Sequence, residues 1–396
     1  MTAGVLSGIT VLDLTRVMSG PYCTLMLADM GARVVKVEHP VRGDDTRAWG
    51  PPFVDGESVY FLSVNRNKES LTLDFKHPDG RRVLDALLAR ADVLVENFRP
   101  GTLQPIGLDY AALAERWPRL IYASISGYGH TGPARDLPGY DAVTQAEGGL
   151  MSLTGDPEGP PFRLGLPIVD LVSGLFAAQG ILLALIERSS TGRGRHVDVS
   201  MLDATASLLT YQAANYLATG DNPPRMGNAH ASIVPYGTFE VRDGLLMLAV
   251  GNDDQWLRFC EVAGLSELAG DERYATNPQR VVNRGLLQPI VARVLRGRDR
   301  ADWTARLREA GVPCGAVRTI GEMLADPQLD ARAMISTIEH PTAGPLRLMA
   351  NPVKLSGVTA RPDKPPPARG EHTEAILREL GMSAEQVTDL RRRHVV

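Results

Sequence analysis

Short apolar runs alternate with amphipathic helical segments through the first half of the chain, and this alternation constrains the fold more than any other feature. Strand-like runs occupy Ile9–Leu14, Arg33–Glu38, Leu71–Asp74, Val93–Val95 and Leu120–Ser126. Runs of this length, separated by helices, are typical of parallel strands that are buried on both faces. The pattern predicts an α/β fold with a large, Rossmann-like doubly wound sheet, whose ligands bind beyond the carboxyl ends of the strands.

A change of pattern near residue 220 divides the chain. Gly220–Pro224 is typical of a linker, and two hairpin-like runs, Tyr236–Val241 and Leu245–Val250, follow it. We expect a large domain that begins with residues 1–200, a linker helix at 201–224, a small α+β domain at 225–325, and a return to the large domain at 326–396. Within that return, Pro362–Pro367 predicts an extended linker ahead of two short helices.

The composition excludes several classes of protein. The chain has 396 residues, with 42 Lys or Arg against 46 Asp or Glu, so nothing indicates a nucleic-acid or membrane partner. The longest uncharged run, Leu171–Ile186, is shorter than the ~20 apolar residues that a membrane span needs, and we interpret it as a buried helix. Three widely spaced cysteines, Cys23, Cys260 and Cys314, favour a reducing, cytoplasmic location.

One glycine motif has two interpretations. Gly127–Gly132 fits G-x-G-x-x-G and follows a strand, as a dinucleotide-binding loop does. Such a loop must open a helix, however, and Pro133 and Pro138 leave no room for one. We therefore favour a plain loop beyond a strand. The eight histidines show no metal-ligand spacing, so no metal site is expected.

A set of basic residues follows the early strands. Most such side chains are simply solvated, but at the carboxyl ends of strands they suit a phosphorylated ligand. The set consists of Lys36, Arg42, Arg47, Arg66, Lys68, Lys76 and Arg99.

Asp170 lies at the end of the apolar run Leu164–Val169, directly before an apolar helix. One interpretation is structural, because Asp is among the best helix N-caps. The other is a functional carboxylate that helix amides keep ionised. Such a carboxylate suits acyl exchange, since its adduct with a thioester is a mixed anhydride that stays activated. The residues around Asp170 allow both interpretations.

In the order and spacing of its segments, the chain resembles the class III CoA-transferases, the formyl-CoA transferase and carnitine CoA-transferase family. The matching segments are Val11–Thr15 with Gly20-Pro21, Gly31–Glu38, Gly43-Asp44, Asn65–Lys68, Val95–Gly101, Thr191–Gly194, Gly311–Gly315 and Gly370–Thr373. Each is weak alone, but their order is specific and covers essentially the whole chain. The pattern is most similar to the succinate–hydroxymethylglutarate CoA-transferase branch.

The resemblance implies an activity, an assembly and a set of site residues. The family forms an interlocked homodimer, and its catalytic aspartate falls on Asp170. The implied reaction moves CoA from a succinyl-CoA-like donor to a free dicarboxylic acid, through an aspartyl anhydride and an aspartyl-CoA thioester. Coenzyme A and acyl-CoA are then substrates, and no cofactor is bound permanently. The implied CoA-binding residues are Met18, Ser19, His39, Leu73, Lys76, Asn97, Phe98, Arg99, Tyr140 and Asp141.

The chain departs from the formyl-CoA transferase pattern within the implied site. His39 and Pro105 stand where that pattern has arginines facing CoA, so the phosphate contacts must differ. The Gly-rich loop that closes over the formyl-CoA transferase site is missing from the sequence. In its region lie Arg225 and His230, our candidates for binding the distal carboxylate of the acceptor, because such a group needs a cation or hydrogen-bond donors.

Two alternatives stay open. One is the α-methylacyl-CoA racemase branch, since racemisation needs an acid and a base on either side of the reacting carbon. The histidine of that branch falls on Tyr140, whose phenol has a reference pKa of ~10 and is a poor base near neutrality. The acidic partner of that histidine falls near Asp253. The second alternative is a non-catalytic CoA-binding module, against which the presence of Asp170 speaks.

Overall fold

Residues 4–358 and 363–396 are described by a computed structural model of the chain, which folds as two units. Unit 1 comprises residues 4–151, 163–221 and the described residues from 328 onward. Unit 2 comprises residues 152–162 and 222–327. The start of the expected Pro-rich linker, Pro362, lies outside the described residues.

The N-terminal part of unit 1 contains most of its regular structure. Its strands are β1 Thr10–Asp13, β2 Arg33–Glu38, β3 Phe53–Val54, β4 Glu57–Ser58, β5 Lys68–Thr72, β6 Val93–Glu96, β7 Ile121–Ser126 and β8 His196–Ser200. Its helices are α1 Ser19–Asp29, α2 Val59–Val64, α3 Pro78–Leu88, α4 Tyr110–Arg116, α5 Asp141–Glu147, α6 Leu150–Leu153 (which ends in unit 2), α7 Ile168–Thr191, α8 Met201–Leu208 and α9 Thr210–Thr219.

Unit 2 is a small α+β unit. It contains the strands β9 Tyr236–Val241, β10 Gly244–Ala249 and β11 Cys314–Ala316, and the helices α10 Asp253–Ala263, α11 Ser266–Ala269, α12 Asn277–Val282, α13 Arg284–Leu295, α14 Arg300–Glu309 and α15 Ile320–Leu324. The three strands form an antiparallel sheet in the order β11-β10-β9. Its core is built on fully buried aromatic side chains such as Trp256 and Trp303.

The chain then returns to unit 1 through α16 Pro327–Ala331, the hairpin β12 Ile335–His340 and β13 Gly344–Met349, and the helices α17 Thr373–Glu379 and α18 Ala384–Arg392. Ser383 and Gln386 form a capping box at the start of the last helix. Side chains of both C-terminal helices, among them Leu377 and Leu390, pack into the core on one face of the main sheet. Both ends of the chain therefore contribute to unit 1.

The main sheet of unit 1 is parallel and six-stranded, in the order β5-β2-β1-β6-β7-β8. The chain begins at the centre with β1, runs outward to β5, and then continues from β6 on the other side. The carboxyl ends of β1 and β6 are therefore the point where the strand order reverses, which is where doubly wound sheets bind ligands. The predicted α/β class is confirmed.

Helix α7 is the longest helix of the structure among the described residues. It packs against α1, β7 and β8, and Ala177 and Ile181 on its inner face are fully buried. By length and composition alone it is the single described helix able to span a membrane. The prediction of a buried helix is only half right, because Leu183 and Ile186 on another face are 60% and 69% exposed.

Two expected domain boundaries differ from the structure. The segment 201–221 belongs to unit 1, and it forms α8 and α9 instead of one linker helix. The break lies at Thr210, whose φ of 40° is incompatible with a continuous right-handed helix. In addition, residues 152–162 belong to unit 2 although they precede α7.

Buried ion pairs hold the carboxyl ends of the central strands. Lys68 lies 3.3 Å from Asp13 and Lys36 lies 2.8 Å from Asp44, and all four side chains are inaccessible to solvent. The hydroxyls of Thr15 and Thr24 also donate to Asp13. Burial lowers the pKa of Lys68 to about 8 despite the attraction of Asp13.

These pairs correct one expectation from the sequence. Four of the seven basic residues that were expected to meet a phosphorylated ligand are instead committed to carboxylates inside unit 1. The pairs are Lys36–Asp44, Arg47–Glu38, Arg66–Asp29 and Lys68–Asp13. Burying a charge without a partner is costly. These four side chains therefore stabilise the fold instead of binding a phosphorylated ligand.

Replacing Asp13 with Asn tests this role. The change keeps the shape of the side chain, but Lys68 loses its ion pair and Lys36 keeps only its pair with Asp44. The free energy of unfolding should therefore fall by about 3–5 kcal/mol. Urea unfolding followed by circular dichroism measures it. Glu187→Gln, which removes the exposed Arg195–Glu187 pair of the same unit, is the control and should leave the curve almost unchanged. Equal, small effects of both changes would contradict the account.

Candidate active site

Two cavities adjoin at the carboxyl edge of the main sheet. The Asp170 cavity, about 220 Å³, is lined by residues that include Ser19, Asn97, Arg99, Tyr140, Asp141 and Asp170. The His39 cavity, about 360 Å³, is lined by residues that include Lys36, His39, Arg42, Leu73 and Lys76. Arg16, Asp45 and Phe98 line both and mark their junction. Together the cavities lie at the point where the strand order reverses.

Asp141 caps the helix that carries Asp170. The cap position of α7 is Pro167, whose side chain cannot accept a hydrogen bond. Instead Asp141 Oδ1 accepts from the backbone N–H of Val169 at 2.8 Å and of Asp170 at 3.2 Å. Gln145 Nε2 donates to the other oxygen of Asp141 at 2.5 Å. A carboxylate from α5 therefore satisfies the helix N-terminus, as an N-cap normally does.

This arrangement corrects both details predicted for Asp170. The residue is not the N-cap, since it lies in the first turn of α7. Nor do the helix amides keep it ionised, because those amides are bonded to Asp141. Burial and the negative charge of Asp141 raise the pKa of Asp170 to about 7, against a smaller opposing effect of the Ser19 hydroxyl, which donates to it. Near neutrality the carboxyl group is thus poised between its acid and its carboxylate.

The turn after β1 forms one wall of the Asp170 cavity and is held by Asn97. The amide of Asn97 accepts from Arg16 N–H at 2.9 Å and donates to the Arg16 carbonyl at 2.7 Å. The next residue, Val17, has a φ of 70°, an unfavourable conformation for a β-branched side chain. Backbone strain of this kind persists where surrounding contacts enforce it, and it is concentrated at functional sites.

The structure brings most of the predicted CoA-binding residues of unit 1 to the two cavities. Ser19, Asn97, Phe98, Arg99, Tyr140 and Asp141 line the Asp170 cavity, and His39, Leu73, Lys76 and Phe98 line the His39 cavity. Met18 lines neither cavity and packs instead beside Leu25 and Val64. The side-chain amide of Asn97 lines the Asp170 cavity and is hydrogen-bonded to the backbone of Arg16. Asn97 therefore also holds the turn after β1 in position.

Two residues of the predicted site, Arg225 and His230, lie in unit 2, and so does Asp253 of the racemase alternative. Arg225 donates to the carbonyls of Asp156 at 3.3 Å and Gly159 at 2.7 Å. The ring of His230 lies 5.1 Å from that of Tyr236, and its Nδ1 accepts from the Ser232 amide. Asp253 pairs with the fully buried Arg280 at 2.7 Å. Their roles toward substrate stay predictions.

Arg16, Asp45 and Tyr60 are not among the site residues predicted from the sequence. Arg16 pairs with Asp45 at 3.4 Å and lies over the Phe98 ring at 5.2 Å, so it bridges the loops after β1 and β6. Burial and the carboxylates of Asp170 and Asp141 raise the pKa of Tyr60 to about 12. The sequence signal that could have identified Arg16 is its position shortly after the central strand β1.

The loop of the G-x-G-x-x-G motif follows β7 without opening a helix, which agrees with the interpretation as a plain loop. Gly127 approaches Gly139 closely, and both line the Asp170 cavity. In the part of the chain that the structure describes, no group of three or more His, Cys, Asp or Glu side chains is arranged to hold a metal ion.

Known proteins are similar to this chain in sequence and in fold. The profile of CoA-transferase family III matches residues 6–373. The chain is 42% identical over 375 residues to succinyl-CoA:glutarate CoA-transferase of Mus musculus, covering 95% of this chain and 86% of that protein. It is 42% identical over 381 residues to succinate–glutarate CoA-transferase of Agrobacterium fabrum, covering 95% of each. The solved structure of a CaiB/BaiF family protein from Brucella suis matches it with a TM-score of 0.85 and 42% identity, over 96% of this chain and 100% of that one.

Asp141→Asn separates the two effects of Asp141. The amide oxygen of Asn can still accept from the α7 amides, but the negative charge is gone, so the pKa of Asp170 should fall below about 7. A carbon-13 NMR titration of the aspartate carboxyl groups measures this shift, with Asp170→Asn used to assign the resonance. Asp141→Ala is the matched variant that also loses the cap, and it should be less stable by ~1 kcal/mol. An unchanged pKa in Asp141→Asn would rule out the electrostatic effect.

Proposed function

The chain belongs to CoA-transferase family III, and we propose that it transfers coenzyme A from a succinyl-CoA-like thioester to a free dicarboxylic acid, with Asp170 as the nucleophile. Membership confirms the resemblance seen in the sequence. The chain is thus a class III CoA-transferase, for which CoA thioesters are substrates and not permanently bound cofactors. The observation that carries the proposal is the half-buried carboxyl group of Asp170, which lines a cavity at the edge of the sheet and has a pKa of about 7.

The reaction begins when the Asp170 carboxylate attacks the thioester carbonyl of the donor. The C–S bond breaks, CoA leaves as a thiolate, and a mixed anhydride joins Asp170 to the donor acyl group. The thiolate then attacks the aspartyl carbonyl of that anhydride and releases the donor as a free acid. Asp170 is left as an aspartyl-CoA thioester. Each step replaces one activated acyl bond by another, so little free energy is lost.

The acceptor completes the exchange by the same chemistry in reverse. Its carboxylate attacks the aspartyl-CoA thioester, which gives a second anhydride and releases the CoA thiolate. The thiolate attacks the acceptor carbonyl of that anhydride, forms the new acyl-CoA, and frees the Asp170 carboxylate. The residues of this chain must therefore hold the thiolate near Asp170 and exclude water from two anhydrides. The burial of Asp170 within a cavity of about 220 Å³ suits both requirements.

The raised pKa of Asp170 suits a nucleophile that works near neutrality. A carboxylate of higher basicity is a stronger nucleophile, provided that enough of it is ionised. Ser19 donates a hydrogen bond to this carboxyl group and limits the rise caused by burial and Asp141. We infer that this balance keeps ionised Asp170 available for attack near neutral pH.

We propose a dicarboxylic acceptor because two similar relatives are named for glutarate and succinate exchange. A dicarboxylate carries a second charge that needs a cation or donors. Arg225 and His230 stay our candidates for that contact. In the structure the Arg225 guanidinium bonds to carbonyl oxygens, which leaves its positive charge without neutralisation by a carboxylate among the described residues.

We further propose that the protein acts as an interlocked homodimer in the cytoplasm. Leu175, Leu183 and Ile186 present exposed apolar surface along α7, as a helix does when another chain covers it. The three cysteines are unpaired, which suits a reducing compartment.

Asp170→Ala tests the proposed nucleophile. With succinyl-CoA and free glutarate, wild-type protein should produce glutaryl-CoA, and the variant should lose roughly 10³-fold or more of this rate. Mass spectrometry of the CoA products measures the exchange. Asp203→Asn, which alters an exposed carboxylate outside both cavities, is the control and should keep the wild-type rate. Unchanged exchange in Asp170→Ala would exclude the nucleophile, and α-proton exchange with deuterated solvent in the absence of CoA exchange would favour racemase chemistry.

The dependence of kcat/KM on pH provides a second prediction. Since protonated Asp170 cannot attack, kcat/KM for succinyl-CoA should fall about tenfold per unit below pH ~7. The Ser19 hydroxyl stabilises the ionised form, so Ser19→Ala should move this acid limb to higher pH. Steady-state rates between pH 5 and 9 measure both curves. A Ser19→Ala limb that moves to lower pH, or a rate that stays constant through neutrality, would contradict the assignment.

A further inference from the structure

Two cations that line the His39 cavity form no ion pair with a carboxylate among the described residues. Arg42 and Lys76 line this cavity and are exposed, and within residues 4–358 and 363–396 neither side chain forms an ion pair. The other cations of its lining are paired, Lys36 with Asp44 at 2.8 Å and Arg16 with Asp45 at 3.4 Å. Among the charges of this lining that form no ion pair in the described residues, Arg42 and Lys76 outweigh the carboxylate of Asp74, so the cavity favours an anionic ligand group.

His39 shapes the turn that carries Arg42. Its Nδ1 accepts from the backbone amides of Val41 at 3.1 Å and of Arg42 at 3.3 Å. A neutral imidazole that accepts on Nδ1 carries its proton on Nε2, so this histidine serves the turn as an acceptor. The side chain at position 39 therefore orders the backbone, and the permanent positive charge lies three residues later, on Arg42.

Further contacts fix the backbone beneath Arg42. The Gly43 N–H donates to the His39 carbonyl at 2.9 Å, and its φ of 68° is one that glycine adopts readily. Arg369 Nη1 donates to the carbonyl of Val41. The turn is thus anchored on both sides, whereas the guanidinium of Arg42 stays exposed at the cavity wall. Such an anchored arginine loses little backbone entropy when it binds a phosphate.

The arrangement of the cavities indicates which phosphate Arg42 meets. Coenzyme A carries a thiol at one end, a pyrophosphate in the middle, and a 3′-phosphate monoester on its ribose. With the thioester beside Asp170, the middle of the molecule lies near the junction marked by Arg16 and Phe98. Arg42 and Lys76 line only the far cavity, where the ribose end would lie. A monoester also carries the higher charge per phosphate, which favours a bidentate arginine.

We propose that Arg42 binds the 3′-phosphate of coenzyme A and is the residue by which this chain distinguishes coenzyme A from 3′-dephospho-coenzyme A. The inference rests on the proposed function for the identity of the ligand. It assigns the phosphate contact to a position next to the His39 turn, with Lys76 as the neighbouring cation.

Calorimetric titration with two probes tests the assignment. Wild-type protein should bind coenzyme A more tightly than 3′-dephospho-coenzyme A. Arg42→Gln should raise the Kd for coenzyme A roughly tenfold and change the Kd for the dephospho compound less than about twofold. Arg193→Gln is the matched control, because Arg193 precedes β8 at the opposite edge of the sheet and is exposed. It should alter neither Kd.

Three results would overturn the proposal. An equal loss for both probes would place Arg42 at the pyrophosphate or make its role structural. No loss for coenzyme A would exclude the contact, and equal binding of both probes by the wild type would remove the discrimination itself. Since binding is measured without turnover, a failure of CoA transfer with intact discrimination would count against the proposed function alone.

Discussion

The Asp141 carboxylate accepts hydrogen bonds from the first amides of α7, and the geometry and ionisation of the candidate nucleophile depend on this contact. An ordinary N-cap belongs to the helix that it caps, but here the cap position is Pro167 and the acceptor comes from α5. Because the α7 amides are satisfied by Asp141, they stabilise the charge of Asp141 and not that of Asp170. The negative charge of Asp141 therefore lies beside the half-buried Asp170, and the pKa of Asp170 rises to about 7. One interaction therefore fixes the helix and tunes the carboxyl group.

The opposite wall of the site depends on charges that solvent does not reach. Asp13 ends β1, and its pairing with Lys68 joins that strand to β5 on the far side of β2. Lys36 pairs with Asp44 and also donates to the Thr15 carbonyl at 2.9 Å, directly before the turn of Arg16 and Val17. The strained Val17 is enforced by these contacts and by Asn97. A buried lysine destabilises the fold unless it has an anionic partner. The ion pairs of Lys36 and Lys68 offset this cost, and the bond from Lys36 to Thr15 holds the turn of Arg16 and Val17 in place.

The sequence predicted the architecture of the sheet better than the details of the site. The bounds of β2 and β9 agree with the predicted segments, because apolar periodicity reports burial along a single element. Asp170 as an N-cap was wrong because its cap is a residue 29 positions away, and no local pattern carries a contact of that range. The roles of Lys36 and Lys68 were predicted wrongly for the same reason: a lysine within or beside a strand has the same sequence signature whether it faces solvent or a buried carboxylate. Arg16 was missed because nothing in one sequence marks a residue shared by two cavities.

As the nucleophile, Asp170 must become covalently attached during CoA transfer. Incubation of the protein with succinyl-CoA in the absence of an acceptor acid, followed by peptide mass spectrometry, tests it most directly. We expect a peptide containing Asp170 whose mass is raised by coenzyme A less one water. This adduct should disappear on treatment with hydroxylamine and be absent from Asp170→Ala. Exchange that proceeds with no adduct, or with the adduct on another residue, would contradict it.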